Sequence, residues 1–579
     1  MLTYLKRQLK SLFLSDIIIK FLISLSAVSF FETAFSTYNF NAPEFFINTN
    51  TAPYFICVAL IFLSLLLINL KPIEPYILLA LLTSLFFITN LQSNNVFFAA
   101  ASSLLISSFV FYFSKQIKSI SLTKKTTIFI SICLGILFAL FVGGITIVKY
   151  LNHRTPNFDF GIFAQMFQYM KETLIPYTTC ERDMLLSHFA VHFSPVFYLI
   201  LPIYYLFPTP ITLLAFQAFI VALGILPLYK LCKHFNLSNT KICIIVALYV
   251  LHPTVIANNF YYFHENCFLT FFLLSLFYFA EKGKTFPTYL FAFLTMTVKE
   301  DAAVYVFFFA LYLIFSNKRK KKGFILLSMS TLYFLVVTRL MTLFGNGIMS
   351  NRYDNFIFEP DGTLLDVVIN VFKNPAFLFE QILSAEKIEF LILMLLPLAF
   401  LPFAIKKPSR IILLGPLVLI NLMTDYPYQF DIGFQYTYAS IAFLFYLLIM
   451  NITELDKAVV KKMLISAFLA SIIFFSSTNL NRIQAFDTYA NDKEQISIIN
   501  QTLDTIPEDK SIRSSTFFIP ALYDRKEVYE YYYSDEKTDY VIFDLRWGQK
   551  DLNKFLLYEG DCYENIIFIT GIIAVYEAK

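Results

Sequence analysis

Apolar and polar positions in this chain fall in long blocks rather than in short alternations. Apolar runs of about 15–24 residues with few charges recur from residue 17 onward, the length that spans a hydrocarbon core of about 30 Å. They cover 17 to about 34, 53–70, 76–92, 96–114, 126–148, 240–258, 266–280, 286–298, 303–316, 324–344, 386–405, 411–424, 433–451 and 463–479. Two further runs, 190–207 and 210–228, are separated by Phe207-Pro208-Thr209-Pro210. The pattern predicts an all-α polytopic transmembrane bundle. Residues 480–579 break it: β-rich runs Ile512 to Phe518, Tyr540-Val541-Ile542-Phe543 and Ile566 to Val575 lie between charged segments and predict a small α/β domain.

Composition sharpens that reading. Of the 579 residues, 58% are hydrophobic and only 15% charged, against roughly 25% charged in soluble proteins. The formal charge of +4 reflects basic loop clusters, so nucleic-acid binding is not indicated. The first apolar run has no convincing small-residue cleavage site and reads as a retained span. None of the seven cysteines shows CxxC spacing, so neither a zinc site nor a thioredoxin-like motif is indicated.

Lys and Arg mark cytoplasmic loops. The clusters are Lys6-Arg7-Lys10, Lys71, Lys115-Lys118-Lys124-Lys125, Lys230-Lys233, Lys282-Lys284, Lys318 to Lys322, Lys406-Lys407-Arg410 and Lys457-Lys461-Lys462. All fall inside if the N-terminus is inside and fifteen runs cross. The span 149–230 needs an odd number of crossings. We assign 210–228 as the crossing and 190–207 as an embedded or interfacial helix; a third crossing within 158–175 also satisfies parity. The expected location is a cytoplasmic membrane, with residues 480–579 extracytoplasmic. The expected divisions are a four-span extension over 1–125, a membrane core over 126–479 with outer loops at about 149–189 and 345–385, and the tail domain over 480–579. Cys180 and Cys562 then share the outer side, where oxidising conditions permit a disulfide.

Four stretches carrying ionisable groups converge on that side: Asn157-Phe158-Asp159-Phe160-Gly161, Ser187-His188 through His192-Phe193-Ser194-Pro195, Phe263-His264-Glu265, and Lys299-Glu300-Asp301. Ionisable groups beside hydrocarbon cost about 2.5–3.5 kcal/mol at a span centre, so their convergence suggests one active site. Asp159, in an aromatic setting, suits a general base, or the cap of a helix. His188 and His192 are spaced i, i+4, a phosphate-binding or proton-shuttling pair if helical; no Glu accompanies them, which disfavours zinc. Glu300 and Asp301 are candidates to hold a divalent cation (Mg or Mn) against a phosphate, with Lys299 beside them. His264 is a further substrate-binding candidate, and Arg352 in loop 345–385 suits bidentate phosphate recognition. No G-x-x-x-x-G-K-[ST] or G-x-G-x-x-G pattern occurs, and no paired Gly/Pro-broken spans mark a transporter midplane. Chemistry at the membrane surface is favoured over conduction.

Phe158-Asp159-Phe160-Gly161-Ile162-Phe163 with Gln165 resembles the signature of the predicted membrane-protein family called domain of unknown function 2079. So do Ser187-His188 through Phe193-Ser194-Pro195-Val196, Leu201-Pro202-Ile203-Tyr204, Pro227-Leu228-Tyr229-Lys230, the His264 turn, Lys299-Glu300-Asp301-Ala302-Ala303 and Asn351-Arg352-Tyr353. In the tail, Ile506-Pro507, Asp524-Arg525, Val528-Tyr529 and Asp539-Tyr540-Val541 through Asp544 continue it. The resemblance covers roughly 126–579. That family looks related to the GT-C class of integral membrane glycosyltransferases, which take a sugar from a polyprenyl-phosphate carrier and use an outer-loop aspartate as base; Asp159 is the matching position. An acidic residue is expected shortly before the histidine turn, where this chain has Tyr261-Tyr262-Phe263. The resemblance implies a glycosyltransferase with a lipid-linked sugar donor, membrane lipid around it, and a glycan, lipid or protein acceptor. The alternative is a non-enzymatic lipid-linked saccharide carrier or envelope scaffold using the same groove.

Overall fold

In hydrocarbon every backbone N–H and C=O must be satisfied within the segment, which leaves the helix as the solution for each apolar run. A computed structural model describes residues 14–68, 70–182, 184–316, 319–345, 351–359 and 362–579. Lys6, Arg7, Lys10 and Lys318 of the basic clusters lie outside the described residues. Among the described residues seven helices are long and apolar enough to cross a membrane: Leu14–Phe35, Glu74–Ser93, Lys124–Leu151, Pro210–His234, Lys320–Phe344, Gln435–Ile452 and Lys457–Thr478. An eighth is bent by 48° where Asn239–Leu251 meets Pro253–Tyr261, because Pro253 cannot donate to the ladder. Shorter apolar helices, including Thr51–Leu67, Val96–Tyr112, Cys267–Glu281, Thr285–Met296 and Pro408–Leu422, fall on further expected crossings. The chain is a multi-pass membrane protein.

Polar residues fix where the helices begin. Thr123 accepts from Thr126 N at 3.1 Å, and Asp456 from Ala458 N at 2.8 Å, each satisfying a first-turn donor. The basic clusters gather around these starts at one end of the bundle. Arg319 pairs with Glu281 at 3.0 Å, Lys322 donates to Gly283 O at 2.9 Å, and Lys407 and Arg410 both reach Glu454. Gln435–Ile452 is the axis of the core, its apolar window wholly buried, whereas the Leu14–Phe35 window is 28% buried and faces lipid. The N-terminal helices pack Leu78, Ala99 and Ile106 on Ile473 and Phe474. A buried pair, Lys20 Nζ to Glu74 Oε1 at 2.6 Å, links Leu14–Phe35 to Glu74–Ser93.

The ambiguous stretch resolves by length and burial. Ile162–Thr173 lies against the C-terminal domain, with Gln165 donating to Arg525 O and Tyr169 to Lys526 O, so it is not a crossing. The run at 190–207 folds as a 3-10 turn, Pro195–Leu199, and a short helix, Leu201–Leu206. Phe197, Ile200 and Tyr204 are buried while Leu199, Ile203 and Leu206 are exposed, as in a segment lying on the bundle. The long apolar helix is Pro210–His234.

A short antiparallel pair, β1 (Tyr177–Thr178) and β2 (Leu186–Ser187), precedes the C-terminal sheet, which comprises β3 (Ile512–Ser514), β4 (Val528–Glu530), β5 (Tyr540–Asp544), β6 (Tyr563–Ile569) and β7 (Ile573–Ala578), in the order β4-β3-β5-β7-β6. β3 runs parallel to β4 and β5, while β7 is antiparallel to β5 and β6. The domain sits on the loop that follows Lys124–Leu151. Thr179 Oγ1 donates to Val528 O at 2.8 Å and accepts from Val528 N at 3.0 Å, closing the β4 edge. Arg546 donates to Asn152 O and His153 O, and Gln165 Nε2 donates to Arg525 O at 3.1 Å. The Cys180–Cys562 disulfide that a shared outer side would permit is not formed. Cys180 packs beside edge strand β4, whereas Cys562 directly precedes β6 at the opposite edge, about 19 Å away at ~4.8 Å per strand.

Candidate functional site

Lys124–Leu151 ends at Asn152, and the five residues Asn157–Gly161 turn the chain back beneath the C-terminal domain. Asn157 anchors this turn: its Nδ2 donates to Cys180 O at 3.1 Å and to Glu530 Oε2 at 2.9 Å. Gly161 is required by close approach, since a Cβ there would stand 2.5 Å from Asn157 Oδ1. The turn projects Asp159 into a polar cavity of about 230 Å³, with about a quarter of its side chain exposed. Asp159 does not cap the following helix, whose N-terminal residue makes no side-chain cap bond.

A second cavity of about 240 Å³ adjoins the first, lined by Val304, Phe334, Val367, Val368, Leu419 and Ile420. Three cationic or ring side chains, His192, Lys299 and Arg352, line both. The polar cavity also holds His188, His264, Glu181 and Arg182; the apolar one also meets Glu300 and Asp301. All eight residues singled out from the sequence therefore surround two connected cavities.

Each is held from a different element. His188 and His192 span one turn, with His192 N donating to His188 O at 2.8 Å, but the segment is a 3-10 turn and not a regular helix. Their rings lie 5.7 Å apart, and each takes its own carboxylate: His188 Nδ1 to Glu181 at 3.1 Å, His192 Nδ1 to Glu300 at 2.9 Å. His264 sits in the turn after the bent helix, fixed by its N–H donating to Gln217 Oε1 at 2.9 Å. Its Nε2 is 3.7 Å from Asp159 Oδ2 and its Nδ1 is 3.1 Å from Glu265 Oε2. Glu265 is fully buried, with Lys299 Nζ 3.6 Å from its other oxygen. Arg352 packs into the corner made by Tyr426 and Tyr436, whose rings meet at 84°, 4.7 and 5.0 Å from the ring centres, and Thr424 and Asp425 fix its carbonyl.

Burial and Lys299 set the charges. Burial raises the Asp159 carboxyl above its ordinary value, and Lys299 is the main influence opposing that rise. Burial likewise pushes Glu265 up to about 7 against the pull of Lys299. His192 is lowered to about 4 by burial and by Lys299, so its ring is neutral at pH 7. Despite burial, the surrounding Glu265 and Glu300 hold Lys299 above its usual value, and it stays an ammonium.

Divalent-cation binding by Glu300 and Asp301 finds little support in the donors. The two Glu300 oxygens already face His192 Nδ1 and Phe193 N, at 2.9 and 3.1 Å. Among the described residues no three His, Cys, Asp or Glu side chains are grouped to hold a metal.

Sequence reading missed Glu181 and Gln435 as members of the site, whereas Glu265 belongs to one of the four converging stretches. Gln435 Nε2 lies 3.2 Å from His264 Nε2, and Tyr261 lines the same cavity as Asp159. Tyr261 stands where an acidic residue was expected before the histidine turn.

A family model described as "Predicted membrane protein (DUF2079)" matches residues 149–557, which contain every residue of both cavities. The chain belongs to this family. No curated protein matches it. The DUF2079 match begins just before Asp159 and takes in β3, β4 and β5 but ends before β6 and β7, so the cavities and three of the five strands above them belong to one family unit. The helices before residue 149 lie outside the match.

Proposed function

We propose that this protein is a membrane glycosyltransferase that moves a sugar from a polyprenyl-phosphate carrier to an acceptor on the face bearing the C-terminal domain. The observation that carries this reading is the pair of connected cavities, one apolar and one polar, with Lys299 and Arg352 at the junction. A lipid phosphate has the same division: an apolar tail, an anionic group and a polar sugar. The tail occupies the cavity lined by Val304, Phe334 and Leu419; the phosphate meets Lys299 and Arg352; the sugar enters the cavity of Asp159.

The acceptor hydroxyl attacks the anomeric carbon in line with the carbon–oxygen bond to phosphate. That bond breaks, its electron pair stays on the phosphate oxygen, and the hydroxyl proton passes to Asp159. One displacement inverts the anomeric centre. Lys299 and Arg352 stabilise the charge growing on the leaving phosphate, the usual demand of such a transition state. Basic clusters at the opposite end of the bundle support an extracytoplasmic site by the positive-inside rule.

Protein in lipid vesicles, supplied with a panel of polyprenyl-phosphate sugars, should release polyprenyl phosphate. Asp159→Asn should insert normally and lose about 10²–10⁴-fold in rate, since the amide cannot take the proton. A carrier or scaffold releases nothing, and near wild-type turnover by Asp159→Asn removes the base from the mechanism.

A further inference from the structure

The polar cavity is walled by aromatic rings. On the membrane-core side Tyr261, Phe434, Tyr428 and Tyr426 form a continuous series, with ring centres 4.5, 4.3 and 5.0 Å apart in that order. On the other side Phe158, next to Asp159, meets Tyr533 of the C-terminal domain edge-on at 5.2 Å, and Tyr533 meets Tyr532 at 5.0 Å. These outer rings are uncovered: Phe158 is 40% exposed, Tyr533 57% and Tyr532 74%. Phe158 lines the cavity itself, so the exposed series begins at the carboxylate and runs out onto the domain.

We infer that this aromatic ledge binds a saccharide acceptor, and that the C-terminal domain is its acceptor-recognition element. The reading rests on the proposed glycosyltransferase and names its acceptor class. A pyranose has an apolar C–H face that packs on an aromatic ring and a rim of hydroxyls that needs hydrogen-bonding groups. The cleft offers both, with Asp159, Glu181 and Arg182 between the two aromatic walls. The cavity of about 230 Å³ is below the ~300–1,000 Å³ of pockets that enclose a drug-sized ligand, so an oligosaccharide must extend across the mouth. Tyr533 and Tyr532 stand where the second and third units emerge.

Full-length protein in lipid nanodiscs is titrated, without donor, with malto-, manno-, galacto- and chito-oligosaccharides of one to six units. At least one series should bind, tightening tenfold or more between one unit and three. Tyr533→Ala should remove that gain, while Tyr558→Ala, an exposed ring on the far helix of the domain, should leave it intact. Absence of binding in every series, or affinities within twofold of wild type in Tyr533→Ala, overturns the inference. So does quenching of Tyr532→Trp, in a Trp547→Phe background, by brominated lipids, which would place the ledge in the bilayer. Saccharide binding without polyprenyl phosphate release from any donor keeps the ledge and removes the transfer reading. Transfer to a non-saccharide acceptor, undiminished in Tyr533→Ala, removes the ledge alone.

Discussion

Lys299 and Glu265 form the most sensitive contact in the site, and a double-mutant cycle on them should separate structure from function. Their charges are 3.6 Å apart, and both side chains are almost wholly buried. At an effective dielectric of about 20 the attraction of the fully ionised pair is about 4.6 kcal/mol, an upper bound because both ions are desolvated and Glu265, pushed up to about 7, is only partly ionised at neutral pH. Lys299→Met keeps the length of the side chain but strands the Glu265 carboxylate and removes the charge facing Glu300 and Asp301. A cost of about 3–5 kcal/mol is expected, as for other broken buried pairs. Glu265→Gln should cost less, because the ammonium keeps Glu300 and Asp301 as neighbours. The double variant, with neither charge, should recover at least about 2 kcal/mol relative to the sum of the singles. Reversible unfolding by SDS in mixed micelles, followed by circular dichroism, measures each corner. Additivity within about 0.5 kcal/mol would refute the pairing. The recovered double variant should still fail to bind a polyprenyl-phosphate sugar, since the ammonium at the cavity junction is gone.

Arg352→Lys should weaken donor binding nearly as much as Arg352→Ala, because an ammonium cannot lie flat on an aromatic ring in the Tyr426–Tyr436 corner while offering a planar fork to phosphate. Unchanged affinity in both variants would return Arg352 to a packing role. For orientation, Cys562 is an exposed native thiol on the C-terminal domain. With Cys57, Cys133 and Cys243 replaced by serine, a membrane-impermeant maleimide should label Cys562 on intact cells. Labelling only after permeabilisation would put the domain, and the cavities beneath it, in the cytoplasm.

The spans were legible because membrane insertion is nearly a one-dimensional problem: apolar length and flanking Lys or Arg carry most of it. The stretch at 190–207 was not decided that way. Its apolar content matches a span, but Pro195 and Pro202 break it into short turns whose inner face, Phe197 and Tyr204, is covered by Phe167 of a helix 30 residues earlier. Hydropathy registers what is apolar, not which neighbour covers it. In the site the same limit applies. Asp159, His188, His192, Lys299 and Glu300 were visible because charge beside an apolar run is rare. Gln435, Tyr426 and Tyr436 were not, because amide and aromatic residues are common in this chain and their partners lie far away in sequence. The His264–Gln435 contact joins positions 171 residues apart.

On the proposed mechanism, one charge arrangement orders the reaction. Lys299 is the main influence holding the Asp159 pKa down against the burial that raises it. An anionic phosphate arriving at Lys299 cancels part of that influence, so the pKa of Asp159 rises and its carboxylate becomes a stronger base. The base is therefore strengthened when the donor is in place. The expected signature lies in the acidic limb of the rate profile. Activity falls as pH drops through the Asp159 pKa, because the protonated carboxyl cannot accept the acceptor's proton. The limb in kcat/KM reports free enzyme and that in kcat the donor complex, so the kcat limb should lie at higher pH. Limbs that coincide in the native protein, or a kcat limb at lower pH, would mean that Lys299 does not link phosphate to base.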